Sequence, residues 1–162
     1  YIFLSFVIGF LFGTQIKTIY ESIFFKTYYW KSPPDIINCY GEDLSESSMY
    51  RAIHYWTIRG ESLSGYVFHP TKRECDEDNF IGAIVIKKDI GTLRPQTLAA
   101  TKRYTNFYRI DSSDIIMRPG SQNLHLLLEH EIGHALGYGH ANLPEHIMNS
   151  KYEKIGEKFW IP

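Results

Sequence analysis

His130-Glu131-Ile132-Gly133-His134-Ala135-Leu136-Gly137-Tyr138-Gly139-His140 is the stretch that decides how this chain of 162 residues is interpreted. Residues four apart in a helix share one face and lie about 6 Å apart along its axis. His130 and His134 are therefore expected to point at the same metal ion. Glu131 is displaced round the helix from both imidazoles, so it is expected beside the ion, where a base for an activated water belongs.

A glycine-rich turn follows this predicted helix. Gly137 and Gly139 allow the chain to turn sharply and to bring His140 back as a third ligand. Three neutral imidazoles that leave one coordination position for water predict a single catalytic Zn²⁺ ion.

A methionine follows the third histidine at a short interval. Met148 lies eight residues after His140, in the segment 144–149, which reads as a turn. An extended zinc motif followed by a methionine turn resembles the metzincin clan of metallopeptidases, and the short interval resembles its matrixin branch. Tyr152 stands where matrixins use a tyrosine to wall the S1′ pocket.

The resemblance is close over residues 124–152 and looser back to about residue 33. It implies a zinc-dependent endopeptidase in which Glu131 is the general base for a metal-activated water. Met148 would form an apolar floor under the three histidines. The strand near Ala99, Ala100 and Thr101 would be the antiparallel edge beside the cleft, where an extended peptide adds as an extra strand.

The other histidines and the acidic segment 76–78 are not predicted to bind a metal. His125 is out of register with His130 and is not predicted to be a ligand, and His146 is expected at the surface of its turn. Matrixins commonly bind calcium, but the acidic segment 76–78 lacks EF-hand spacing. A solvated loop is favoured there, and Ca²⁺ has no support.

Apolar patterns along the chain predict an α+β, or mixed α/β, domain with a twisted five-stranded sheet. The resemblance adds a metzincin-like zincin fold with an active-site helix and a short C-terminal helix. The predicted strands cover residues 35–40, 66–68, 80–86, 97–101 at the start of the fourth, and 110–117. Three helices are predicted. The first is capped by Ser45 and ended by Gly60. The zinc helix is capped by Ser121 or Asn123 and reaches Leu136, and a last helix covers 151–159.

The sequence divides at a proline pair. Residues 32–162 are predicted to form the metzincin-like catalytic domain, and residues 1–31 a hydrophobic membrane anchor or signal segment with a juxtamembrane stretch. Residues 1–16 carry no charge, and the lysines and aromatic residues that follow up to Lys31 suit a membrane interface. A cleaved signal peptide and a buried core helix are the alternatives. The expected location is membrane-anchored or secreted, with the catalytic domain outside the cytoplasm.

The balance of charge narrows the class of binding partner, and the cysteine content leaves a disulfide open. Seventeen basic residues balance 18 acidic ones, which gives no sign of nucleic-acid binding. The expected partners are a protein or peptide substrate and, through the N-terminal segment, a membrane. Cys39 and Cys75 form either a disulfide or two free thiols.

Two further functions compete with the peptidase. One is an inactive zinc-holding binding or scaffold protein, against which Glu131 and the open fourth position argue. The other is a zinc hydrolase of a non-protein amide, such as cell-wall peptides.

Overall fold

The computed structural model describes residues 26–67, 75 and 80–159. The predicted anchor at residues 1–16 and the acidic segment 76–78 lie outside these residues. The described elements are β1 (Tyr29–Trp30), β2 (Asp35–Cys39), α1 (Glu46–Thr57), β3 (Gly65–Val67), β4 (Ala83–Lys88), β5 (Ala99–Asn106), β6 (Arg109–Met117), α2 (Leu127–Ala135) and a 3₁₀ turn (Tyr152–Lys154). Among the described residues, no helix combines the length and apolar character that crossing a bilayer requires.

One mixed sheet organises the molecule. Its strands follow the order β1-β6-β4-β2-β3, all parallel, and β5 pairs antiparallel with the other side of β6. The predicted α+β class and metzincin-like fold are confirmed, including the antiparallel strand. β5 is the edge strand next to α2, so it borders the helix that carries the histidines.

The central strands are buried on both faces, as their β-branched residues predict. On β4, Ile84 and Ile86 face the main core beneath the two helices, whereas Val85 faces a smaller cluster on the opposite side of the sheet. Cys39 packs with that smaller cluster and forms a disulfide with Cys75. The disulfide and the helices therefore lie on opposite faces.

Helix α1 begins at the predicted cap. Ser45 accepts a hydrogen bond from the backbone N–H of Ser48, as an N-cap should. Trp56, at the other end, is fully buried, and its indole N–H donates to the carbonyl of Glu129 at 2.7 Å. This bond ties α1 to α2 one residue before the first histidine.

The sheet has six strands rather than the predicted five. The additional strand, β1, lies in the stretch that the sequence placed before the boundary at residue 32. Tyr29 pairs with Arg109 of β6, and the Trp30 indole N–H donates to the carbonyl of Ala135 at 2.9 Å. Trp30 is thus packed against the core of the fold rather than free for a membrane interface.

Both predicted caps of the zinc helix are wrong. The helix begins at Leu127, after Leu126, whose φ of +61° stops the preceding turns from joining it, and no side chain caps it. The Leu126 side chain is buried, so packing, rather than capping, fixes this start. The single hydroxyl hydrogen of Ser121 is instead shared between the carbonyl oxygens of Arg118 at 2.8 Å and Leu98 at 2.9 Å.

The predicted last helix over 151–159 is also wrong, because the helical element within these residues is the short 3₁₀ turn Tyr152–Lys154. The chain beyond the turn is extended and pairs with the methionine turn. The N–H of Ile147 donates to Lys158 O at 2.8 Å, and the N–H of Lys158 donates to Glu145 O at 3.1 Å. These bonds replace the helical ones.

Candidate metal centre and substrate cleft

Helix α2 presents His130, Glu131 and His134 over a tightly packed floor. Gly133 lies between the two histidines, against Met148 and the Trp56 ring. A Cβ at Gly133 would lie 2.5 Å from a Trp56 ring carbon and closer still to the Met148 sulfur. Glycine is therefore needed here for close packing, since the helix itself would favour alanine.

The turn after α2 is a Schellman motif. Gly137 has φ +109°, its N–H donates to His134 O at 3.0 Å, and the N–H of Tyr138 donates to Gly133 O at 3.0 Å. Gly137, but not Gly139, supplies the positive φ that reverses the chain. The reversal brings His140 back over the helix.

The three predicted ligands converge on one point. The Nε2 atom of His134 lies 3.1 Å from that of His130 and 3.1 Å from that of His140. All three ligand atoms lie within 4.8 Å of one another. Tetrahedral zinc with Zn–N bonds of about 2.0–2.1 Å needs nitrogens about 3.3 Å apart. The donor set therefore fits a zinc ion.

Backbone carbonyls determine which ring nitrogens face this point. The Nδ1 of His130 donates to Ile147 O at 2.7 Å, and the Nδ1 of His134 donates to Tyr138 O at 2.9 Å. A carbonyl can only accept, so both Nδ1 atoms carry the proton. Both Nε2 atoms then carry lone pairs, and lone pairs that face each other suit a shared cation rather than a hydrogen bond.

Burial also keeps the imidazoles neutral. It lowers the pKa of His130 to about 4 and that of His134 to about 3, with smaller contributions from the neighbouring imidazoles. Burial lowers the pKa of the more exposed His140 as well. A neutral imidazole is the form that binds a metal.

Glu131 is the acid group beside the three histidines. Only 5% of it is exposed, and burial raises the pKa of its carboxyl to about 7. The hydroxyl of Thr101 on β5 donates to Glu131 Oε2 at 2.6 Å, which opposes that rise. Such a carboxyl can accept a proton and release it near neutral pH.

A cleft of about 940 Å³ opens over the histidines and Glu131. Its walls include the predicted substrate-binding residues, namely Ala99, Ala100 and Thr101 from β5 and Tyr152 from the 3₁₀ turn. The Tyr152 hydroxyl donates to the carbonyl of His125 at 3.1 Å, which anchors this wall to the chain before α2. The exposed His125 side chain is not part of the histidine cluster.

Comparison with known families gives a match over most of the chain. The family model described as Matrixin covers residues 40–161. The chain belongs to the matrixin family. Matrixins are zinc metallopeptidases, and the three histidines are compatible with the metal that this membership implies. The comparison with curated proteins found no match.

The methionine turn of this matrixin supports the histidines from below. Met148 is fully buried against Gly133. His146 is fully buried too, so its expected surface position is wrong. Its Nδ1 accepts the N–H of Met148 at 3.0 Å, and its carbonyl accepts the N–H of Asn149. His146 therefore shapes the turn.

An N-terminal clamp, residues 26–30, holds the end of α2 in this matrixin. The N–H groups of Thr27 and Tyr28 approach Gly137 O at 3.2 and 3.4 Å. Lys26 donates to both carboxylate oxygens of Glu61, which also accepts the hydroxyl of Tyr138. Local sequence does not reveal this role, because basic and aromatic residues beside an apolar run are also typical of a membrane interface.

Proposed function

We propose that this matrixin is a zinc-dependent endopeptidase with Glu131 as its general base. The observation that carries the proposal is the convergence of His130, His134 and His140 beside a buried carboxyl group, at the floor of an open cleft. Zinc in such a site supplies Lewis-acid chemistry, making a water nucleophilic and polarising a carbonyl. Glu131 takes the proton that this water loses and gives a proton to the leaving amine.

The edge strand is the proposed site for the substrate backbone. Ala99 and Ala100 line the cleft, and β5 pairs with β6 alone among the described strands. Small side chains leave the strand edge accessible, so an extended peptide can add to it by backbone hydrogen bonds. In a peptide paired with β5, the carbonyl group of the scissile bond would lie next to the three histidines. The apolar walls Leu127, Tyr152 and Ile155 then receive the side chain that follows the scissile bond.

The location is proposed to be outside the cytoplasm. The Cys39–Cys75 disulfide supports an oxidising compartment, since such bonds are rare in the reducing cytosol. The uncharged residues 1–16 suit either a membrane anchor or an export signal. We favour the anchor, because no small-x-small cleavage site follows the apolar run.

The test is cleavage of a mixed peptide library by the purified full chain, with metal content measured on the same sample. We expect cleavage that a chelator stops and added Zn²⁺ restores. Glu131→Gln should lower the rate by about 10²–10⁴-fold and keep the zinc, because the amide cannot accept the proton. Glu42→Gln, an exposed carboxyl outside the cleft, is the matched control and should cleave normally.

Three outcomes would contradict the proposal. Zinc binding without cleavage of any peptide would favour the scaffold function. Cleavage of cell-wall stem peptides alone would favour the non-protein amide hydrolase. Equal rates for Glu131→Gln and the unaltered chain would refute the role of the base.

A further inference from the structure

The hairpin between β5 and β6 ends in two exposed aromatic residues. Asn106 pairs with Arg109, so Phe107 and Tyr108 form a two-residue loop, called here the hairpin tip. Phe107 is 90% exposed and Tyr108 is 65% exposed. Neither side chain therefore contributes much buried surface to the fold.

Phe107 also has an unfavourable backbone conformation. Its φ is +56°, in the first loop position of the hairpin, where glycine is the preferred residue. A bulky side chain here strains the turn and gains no burial in return. Folding does not explain this residue, so contact with another surface is the remaining physical reason for it.

The surroundings of the hairpin tip are aromatic and basic. Tyr29 is 57% exposed, and its N–H donates to the carbonyl of Tyr108 at 3.0 Å. Lys102 lies over the ring of the exposed Tyr104, with Nζ 4.6 Å from the ring centroid. The acidic groups on β6 are already paired, Asp111 with Arg109 and Asp114 with Lys87.

β1 begins at this same end of the sheet. It is parallel to β6, so Tyr29 lies where β6 begins, and residues 26–28 precede it along the end of α2. The uncharged residues 1–16 precede the described chain by only residues 17–25. Exposed aromatic residues and a lysine, in a chain that also carries an uncharged apolar run, match a bilayer rather than a protein partner.

We propose that the hairpin tip, Phe107–Tyr108, is a second membrane contact, resting among the lipid headgroups while the N-terminal run anchors the chain. Two contacts fix the orientation of the domain, whereas one contact alone would leave it free to rotate. β5 rises about 3.3 Å per residue, so Thr101 in the cleft lies about 17 Å from Asn106 next to the hairpin tip. The cleft is thereby held within a short distance of the bilayer.

The test uses tryptophan as a local probe in the full chain. Phe107→Trp and Tyr108→Trp are compared with Ile90→Trp in anionic phosphatidylcholine–phosphatidylglycerol vesicles whose acyl chains are brominated near the headgroups. Ile90 is the matched control, because it is 91% exposed and follows β4 at the opposite end of the sheet. The unaltered chain gives the background from its own tryptophans.

We expect brominated lipid to quench additional emission in both hairpin variants and none in Ile90→Trp. Circular dichroism of each variant verifies its fold, and Tyr108→Trp keeps the test valid if Phe107→Trp is destabilised. If the chain floats with the vesicles but neither hairpin variant is quenched more than Ile90→Trp, the hairpin does not touch the bilayer and a protein partner becomes the better explanation. A chain that does not float with vesicles overturns both membrane contacts.

Discussion

Thr101 has one hydroxyl hydrogen and two acceptors within reach. Its Oγ1 lies 2.6 Å from Glu131 Oε2 and 3.1 Å from the carbonyl oxygen of the same residue. The hydrogen bonds the carboxylate, the nearer and charged acceptor. The bond fixes the direction of the carboxyl group from the strand that also borders the cleft. Thr101 is therefore a positioning residue for the proposed base, as well as part of the cleft wall.

Thr101→Val should lower kcat about tenfold and leave KM unchanged, because valine keeps the branched shape but cannot orient Glu131. Thr101→Ser should restore most of the rate, since it keeps the hydroxyl. Steady-state kinetics on one library-derived peptide, with zinc content measured in parallel, provides the check. A rise in KM at constant kcat would instead assign the hydroxyl to substrate binding, and equal loss in the serine variant would assign the methyl group to packing.

Sequence reasoning works at the residue scale where spacing within one helix determines the geometry. His130, Glu131 and His134 are close in sequence, so a helical period fixes their relation. The bond from Thr101 to Glu131 spans 30 residues and depends on how β5 lies against α2, which no local pattern encodes. The burial of His146 depends likewise on the chain that covers it.

At the scale of elements, hydrogen bonds from three other parts of the chain meet at the end of α2. His134 O accepts from Gly137 N–H and from Arg103 Nη1 at 2.7 Å, and Ala135 O accepts from the Trp30 indole. A guanidinium also complements the negative end of the helix dipole. β1, β5 and the turn thus hold the C-terminal end of α2 from three directions. They thereby also fix the path of the chain that brings His140 back to the other two histidines.

Gly137→Ala should destabilise the fold more than Gly120→Ala and should weaken zinc binding as well. Both glycines have positive φ, +109° and +90°. Alanine at Gly120 meets no atom within 4 Å, so only backbone strain of about 1–2 kcal/mol applies. At Gly137 a Cβ would overlap the carbonyl of Tyr28 in the clamp, and overpacking adds about 1–3 kcal/mol.

Urea unfolding in chelator gives the stability difference between these two variants, and competition with a chelating dye gives the zinc affinity. Gly120→Ala serves as the matched control for strain alone and should bind zinc normally. Similar losses of stability in both variants, with unchanged zinc affinity, would mean that the clamp yields without disturbing the turn that carries His140.

Element boundaries show where local signals fail. Ser45 is a cap in the structure as predicted, because its hydroxyl contacts only groups of the same helical turn. Ser121 does not cap α2, because its hydroxyl is engaged by the carbonyl of Arg118 and by the distant carbonyl of Leu98. Helical spacing over 151–159 is overridden by backbone pairing of Lys158 with the methionine turn, since fixed tertiary hydrogen bonds outweigh weak helix propensity.

On the scale of the whole molecule, the sheet separates the metal centre from the disulfide. The main core, with both helices and the methionine turn, lies on one face. The smaller cluster and Cys39 lie on the other. Alternation along β2 explains the division, because Ile36 and Ile37 must point to opposite faces. Periodicity predicts this two-sided burial, but the pairing of the cysteines follows only from three-dimensional proximity.

The Cys39–Cys75 disulfide should therefore stabilise the fold without influencing the metal centre. It joins residues 36 apart, and closing a loop of this length in the unfolded chain is worth about 4 kcal/mol. Cys39→Ala/Cys75→Ala should lower the free energy of unfolding by up to that amount, and reducing agent should do the same to the unaltered chain only. Urea unfolding is measured in chelator, because bound zinc would add its own stabilisation. Zinc stoichiometry and affinity, measured on the folded variant, should stay unchanged. A matching fall in zinc affinity would show that strain crosses the sheet, and that the histidines depend on the opposite face.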